Sequence, residues 1–425
     1  MKVKPINFIS NKFTLLTITL CAFSAFGQSD YYWVGGTGNW SNYSSHWATS
    51  SGGNIFHTTT PSSNDNVIFD SNSFSANNQT VTLNADNESV GNMTWLGVTN
   101  TPTFHMSSKQ LMVHGSITYD PIMTINSPGT LTFTSTNTSF LISGGHRIGN
   151  VYVDKNGGIF NQLDNFMSSG YTFEVRAGSI YNSNDYDIYF NTIRFKGSPT
   201  GSTTTTINTG TSTITVKDDG LEIQSQSSYP NIITNLASST IYLDRAYLYG
   251  GYYSVDNFGH IITKNMPTWR EIGYRVDRIR KLEITQGTSY QNDYTKIHSY
   301  FGDHHNNNLD GGIIDTLIIG KYTRFENNFN TVIGDIEFKG DALTAIFGSS
   351  GTFTVSNSLT FQGGNCSVTT LKSTSAGNQA NINLLFTNTV TATNLSIKDM
   401  AFTGSGTLVA QASVDNGNNS GVIIN

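Results

Sequence analysis

One three-residue pattern constrains this chain more than any other feature. From residue 93 onward, an apolar residue, any residue and a second apolar residue recur. The pattern stands at Met93-Thr94-Trp95, Ile117-Thr118-Tyr119, Leu131-Thr132-Phe133, Val151-Tyr152-Val153, Phe173-Glu174-Val175 and Ile193-Arg194-Phe195. It continues at Leu221-Glu222-Ile223, Ile241-Tyr242-Leu243, Leu282-Glu283-Ile284, Leu317-Ile318-Ile319, Ile336-Glu337-Phe338, Leu359-Thr360-Phe361 and Leu395-Ser396-Ile397. Successive side chains of a strand point to opposite faces, so the two apolar residues point inward and the middle one outward. The middle positions suit that reading, with Thr94, Thr132, Glu174, Arg194, Glu222, Glu283, Glu337 and Thr360 all polar. Several steps between triplets measure 19 to 24 residues. Three longer steps, 241 to 282, 282 to 317 and 359 to 395, leave room for two rungs or for one rung with an inserted loop.

A period near 20 with one short strand per unit predicts a solenoid. A β-sandwich also alternates, but it gives no reason for this period without Asn-Gly hairpin turns between neighbours. The expected fold is therefore all-β, a right-handed parallel β-helix. Its hand follows from general chain chirality and precedent rather than from the letters. Glycine and asparagine suit its corners, where φ turns positive. About thirteen to sixteen coils at ~4.8 Å each give a rod of roughly 65–75 Å.

Composition agrees. Charged residues make up only 12% of the chain and the apolar share is 37%, while 41 glycines and many Ser, Thr and Asn fill the balance. The aromatic share of 12% argues against disorder. The net charge is −6, and −9 once residues 1–27 are removed, because Lys2, Lys4 and Lys12 leave with them. An acidic chain of this kind excludes nucleic acid as a partner. Residues 1–27 read as a signal peptide: a basic front, an apolar run from Phe13 to Phe26, and small residues before Gln28. The bulky Leu20 ahead of Cys21 argues against lipid anchoring there. Cys366 is then the one remaining cysteine, which rules out an internal disulfide. No later apolar stretch is long enough to span a bilayer as a helix.

The expected organisation is a signal peptide over 1–27, a Trp-rich cap with the first coil over 28–92, and a parallel β-helix over 93–425. Two stretches, 244–280 and 288–312, interrupt the triplet pattern and read as loops inserted on one flank. Solenoid ends need atypical caps. Trp33, Trp40 and Trp47, seven residues apart among Gly, Ser and Asn, suit that role. The rival reading leaves these indoles exposed to stack on sugar rings.

The segment WVGGTGNWSNYSSHWATSSGG followed by PSSNDNVIFDSNSF resembles the N-terminal region of secreted, repetitive, adhesin-like or gliding-associated surface proteins of Bacteroidetes-type bacteria. Those proteins are often cargo of the type IX secretion system. The end of the chain, VTATNLSIKDMAFTGSGTLVAQASVDNGNNSGVIIN, resembles their closing coil. The likeness covers mainly residues 31–75 and 390–425. It implies a secreted, cell-surface protein whose partners are surface glycans or extracellular polysaccharide. Members of that group end in a sorting domain, and none is legible here, which leaves the mode of attachment open.

Catalytic signatures are sparse: there is no HExxH, no phosphate-cradling loop and no nucleophile elbow. No catalytic residue is therefore assigned, and the expected role is non-enzymatic. The alternatives are a polysaccharide lyase or glycoside hydrolase on the same scaffold, and a structural spacer within a larger surface protein. Carboxylates at Asp218, Asp219 and Glu222 would serve the enzyme, although a turn explains them equally. The candidate carbohydrate contacts are Trp33, Trp40, Trp47, Tyr249, Tyr252, Tyr253, Arg270 and Arg275. Asp303, His304, His305 and Asp310 gather oxygen and imidazole ligands that suit Ca²⁺ or a transition metal, without the spacing of an EF-hand loop. No other cofactor is implied.

Overall fold

The computed structural model describes residues 27–198, 202–224, 232–250, 257–266, 271–274, 276, 278–285, 295–297, 310–320, 322–326, 330–363 and 367–425. Residues 1–26 of the predicted signal peptide, Cys366 and most of the predicted 288–312 insertion lie outside these residues. The predicted 244–280 loop is corrected: its described residues carry the strands Tyr247–Tyr249, Asn257–Lys264 and Glu271–Tyr274 and the start of Arg278–Ile284, paired parallel with their neighbours, because the same inward-outward alternation runs on through them. The described chain is all-β, apart from one four-residue helix at Tyr43–His46. Almost every pairing between its strands is parallel, and the strands build long sheets. Among the described residues no helix is long and apolar enough to cross a membrane.

The first part of the chain visits three ladders in turn. Strand Met93–Trp95 belongs to the first, Thr103–His105 to the second and Gln110–Val113 to the third. The chain then returns to the first at Ile117–Thr118, the second at Thr124–Asn126 and the third at Thr130–Phe133. Each strand lies parallel to the one reached a circuit earlier. Between neighbouring rungs the register puts like on like. Val151, Phe173, Ile193, Leu221 and Leu248 line up one above another, and all are fully buried. A side chain of that size gains roughly 1.5–3 kcal/mol on burial, so each rung of the stacked column adds to the inward cohesion.

Polar side chains stack too. Asn161, Asn182, Asn208 and Asn235 occupy one register column on the outer side of the first ladder. Each side-chain amide donates to the next carbonyl oxygen down the column, at 3.0, 2.8 and 2.5 Å. At a nearby corner, hydroxyls pair inside the wall: Ser183 with Ser212 at 2.7 Å and Thr209 with Ser239 at 2.6 Å. Corners bring backbones into close stacking. Gly149 has a φ of 79°, and a Cβ there would collide with the carbonyl of Gly129 one circuit below. Only glycine satisfies both demands.

The structure corrects the single-column reading of the triplets, which belong to three different ladders. Met93 and Ile117 pair in the first. Leu131, Val151, Phe173, Ile193 and Leu221 follow one another in the third. Ile241, 20 residues after Leu221 in sequence, pairs instead with Ile214, while the partner of Leu221 is Leu248. The reason is physical. A chain wrapping one apolar core must show the inward-outward-inward pattern on every face, so the letters alone do not say which face a triplet belongs to.

The three long steps resolve differently. Ile241 pairs with Ile261 and Ile261 with Leu282, so that step is two rungs. Leu282 pairs directly with Leu317, one rung with an insertion between. Leu395 aligns with Thr369, so it shares no column with Leu359, whose partner is Ile336. Parallel pairing also starts earlier than residue 93, because Asp30–Trp33 already lies alongside Asn66–Phe69, and that strand alongside Met93–Trp95.

Candidate functional site

The expected sugar-stacking tryptophans are not available for that task. Trp33, Trp40 and Trp47 are fully buried; all three pack on Phe69 and Trp40 also on Phe104, and both phenylalanines in turn pack on Trp95. Trp47 meets Trp33 and Trp40 edge to face, at 4.8 and 4.9 Å. Trp33 stacks at 4.5 Å on His46, whose Nδ1 lies 2.7 Å from the Val34 carbonyl. The Nε1 of Trp33 donates to the Gly36 carbonyl and that of Trp47 to the Trp40 carbonyl, each at 2.8 Å. Strand Trp47–Ala48 lies antiparallel against Asp30–Trp33, across the outer edge of the first ladder. Burial of this order leaves no indole face for a sugar ring, and the carbohydrate expectation for these three residues is withdrawn.

Of the remaining expected contacts, only Tyr249 can be placed. Tyr252, Tyr253, Arg270 and Arg275 lie outside the described residues, as do Asp303, His304 and His305. Asp310 is described only as the backbone start of strand Asp310–Ile319. Among the described residues no cluster of three or more His, Cys, Asp or Glu could hold a metal ion.

Tyr249 sits on the outer side of the third ladder, 38% exposed. The register there reads Tyr152, Glu174, Arg194, Glu222, Tyr249, one outward residue from each of five neighbouring strands. The inward column of Val151 to Leu248 fixes this row, since alternate residues of each strand must face the other way. Opposite charges on adjacent rungs stand within reach of one another.

Two carboxylates organise the face. Glu174 accepts from Arg176 Nε and Lys196 Nζ, both at 2.8 Å. Arg176 also reaches Asp154 at 3.0 Å and lies over the Tyr152 ring at 4.6 Å. Burial alone would push the Glu174 carboxyl up, but the hydrogen bonds from Lys196 and Arg176 together hold it below the usual range. Glu222 accepts from Arg194 Nε at 3.0 Å, and also from Gln224 and the Tyr247 hydroxyl. Burial first, and the bond to Glu222 second, push the Tyr247 phenol well up. The Tyr247 ring lies across Gly220, where any Cβ would collide with it, and packs against the Tyr249 ring at 4.4 Å. Asp219 accepts from Thr192 at 2.6 Å, and Asp218 pairs with Arg245.

The result is a flat outer face with fixed charges of both signs and a tyrosine pair at one end. Sequence reading placed Tyr249 and the three carboxylates but missed Glu174, Arg176, Arg194 and Lys196 as partners. The signal was present, since consecutive triplets in this ladder carry Glu, Arg and Glu at their middle positions. Chemically the face can offer hydrogen-bond donors, acceptors and an aromatic surface. A general acid needs a carboxyl held protonated near neutral pH, and Glu174 is held ionised. Comparison of the chain with protein-family models, with curated proteins and with solved structures finds no match.

Proposed function

We propose that this protein is an exported, adhesin-like surface module that contacts glycans without cleaving them. In this reading the parallel ladders form a right-handed parallel β-helix, and the buried Trp33–Trp40–Trp47 cluster is its N-terminal cap. The likeness of residues 31–75 and 390–425 to Bacteroidetes-type surface proteins supports export and surface display. The observation that carries the binding role is the aligned outward row ending at exposed Tyr249. Rigid aromatic faces beside fixed polar groups suit saccharides, because the rings pack on C–H faces while the charges and amides meet hydroxyls.

A polysaccharide-active enzyme is the second reading. It draws on one observation: Asp219, Glu222 and Arg194 reach the same face from two neighbouring strands. A binding screen over glycans and whole polysaccharides, with product analysis on every hit, separates the two. Binding without chain shortening is the expected result. Shortened products with any polysaccharide would establish the enzyme and overturn the adhesin.

A further inference from the structure

A second place on the molecule carries polar chemistry that the outward face does not use. Near the N-terminal end, stacked corners of successive circuits enclose a groove of about 590 Å³. Its lining includes Gln28, Asn64, Asn92, His114, Ser135 and Asn137. The groove floor is narrowed by close backbone stacking. A Cβ on Gly91 would stand 2.9 Å from the Asp65 carbonyl oxygen, and one on Gly115 would stand 2.7 Å from that of Gly91. Asn92 ties the corners together, donating to Asn66 at 2.9 Å and accepting from the Ser116 amide at 2.8 Å. On a chain with net charge −6, no carboxylate lines this groove.

Behind the lining lies an anomaly. Lys155 is fully buried. Its Nζ reaches only the Thr134 carbonyl at 3.4 Å and the Ser135 hydroxyl at 3.3 Å, with no carboxylate partner among the described residues. Both contacts are long for an ammonium donor, and a buried charge without a counter-ion is costly. Ser135 bridges this amine to the groove. It accepts from Lys155, lines the groove wall and donates to the His114 carbonyl at 2.7 Å. Ser135 also holds a φ of 84°, which non-glycine residues rarely adopt.

We propose that this corner groove binds an acidic saccharide, whose anionic group is received by the Ser135 hydroxyl and balances the buried Lys155 ammonium. On binding, Ser135 turns its proton from the His114 carbonyl to the anion while still accepting from Lys155. Amides of Asn64, Asn92, Asn137 and Gln28 meet the sugar hydroxyls along the corner. Rungs spaced ~4.8 Å apart offer one set of such groups per step, on the scale of a sugar ring. This site is separate from the outward face at Tyr249 and does not depend on it.

The test titrates the full chain with hyaluronan and chondroitin sulfate tetrasaccharides and with their carboxyl-reduced, desulfated counterparts. At least one acidic form should bind tenfold or more tightly than its neutral counterpart. Lys155→Met should abolish that preference. Asn137→Asp, at an exposed position that leaves the core untouched, should weaken the acidic form alone. Tyr249→Ala should leave this binding unchanged. Equal affinity for acidic and neutral forms, failure of every acidic form to bind, or indifference to both groove variants would each overturn the proposal. Binding lost with Tyr249→Ala but unmoved by Asn137→Asp would place the saccharide on the outward face instead and leave that reading standing.

Discussion

Trp47 shows how much of this molecule rests on single side chains. Its indole is fully buried between two other indoles and Phe69, and its Nε1 is already satisfied by a backbone carbonyl. Trp47→Ala should cost about 3–5 kcal/mol, the usual range for emptying a large aromatic site. Nearby Ile55 is 70% exposed, and Ile55→Ala should stay within about 0.5 kcal/mol. Thermal melts of the two variants make the comparison. Equal Tm values would deny the tryptophans their structural role.

Lys155 makes the opposite prediction. Burial holds its amine near pKa 8, against an ordinary value of 10.5. The folded protein therefore holds this proton more weakly than the unfolded chain does. Between about pH 8 and 10.5 the unfolded state binds more protons, so stability should rise with pH across that window. Below it, the burial costs on the order of 3 kcal/mol. Lys155→Met should stabilise the protein at pH 7, and its advantage should fade by pH 10.5. Urea titrations at pH 7 and pH 10, read as the difference between variant and wild type, cancel other titrating groups except His114. That imidazole is held low by burial and then by Lys155.

At the scale of the element, the rung is the unit. In the Asn161–Asn182–Asn208–Asn235 column, Asn182 serves two neighbours and Asn235 one among the described residues. Asn182→Ala should cost about 1 kcal/mol or somewhat more, and Asn235→Ala distinctly less, since each net hydrogen bond is worth roughly 0.5–1.5 kcal/mol and Asn235 is the more exposed. Urea unfolding checks this, and equal costs would mean the column is not cooperative.

This element scale is also where the sequence speaks most clearly and then stops. The triplets marked which residues turn inward, because inside-outside alternation is local to a strand. They did not mark which rungs pair, because pairing depends on corner lengths that Gly, Ser and Asn leave loosely specified. Ile241 illustrates the gap: its distance from Leu221 matches a circuit, yet it lies in another ladder. The outward ion pairs were hidden for the same reason. Arg194 and Glu222 are 28 residues apart and meet only once the register is fixed. The corner groove gave still less warning, since it is assembled from one to three residues of each successive circuit.

Across the whole molecule, the ladders hold a stiff wall on which the Tyr152–Glu174–Arg194–Glu222–Tyr249 row is fixed in place before any partner arrives. Preorganisation of this kind lowers the ordering cost of binding, which is the advantage of a rigid scaffold for a surface module. The most direct test of that account is a binding titration of the tightest glycan found by screening whose binding Asn137→Asp in the corner groove leaves unmoved, run with wild type and Tyr249→Ala, with the ligand's chain length followed throughout. The account predicts at least tenfold weaker binding for Tyr249→Ala, about 1.4 kcal/mol, an unchanged Tm, and ligand of constant length. Unchanged affinity in the variant, or shortening of the glycan by the wild type, would contradict it.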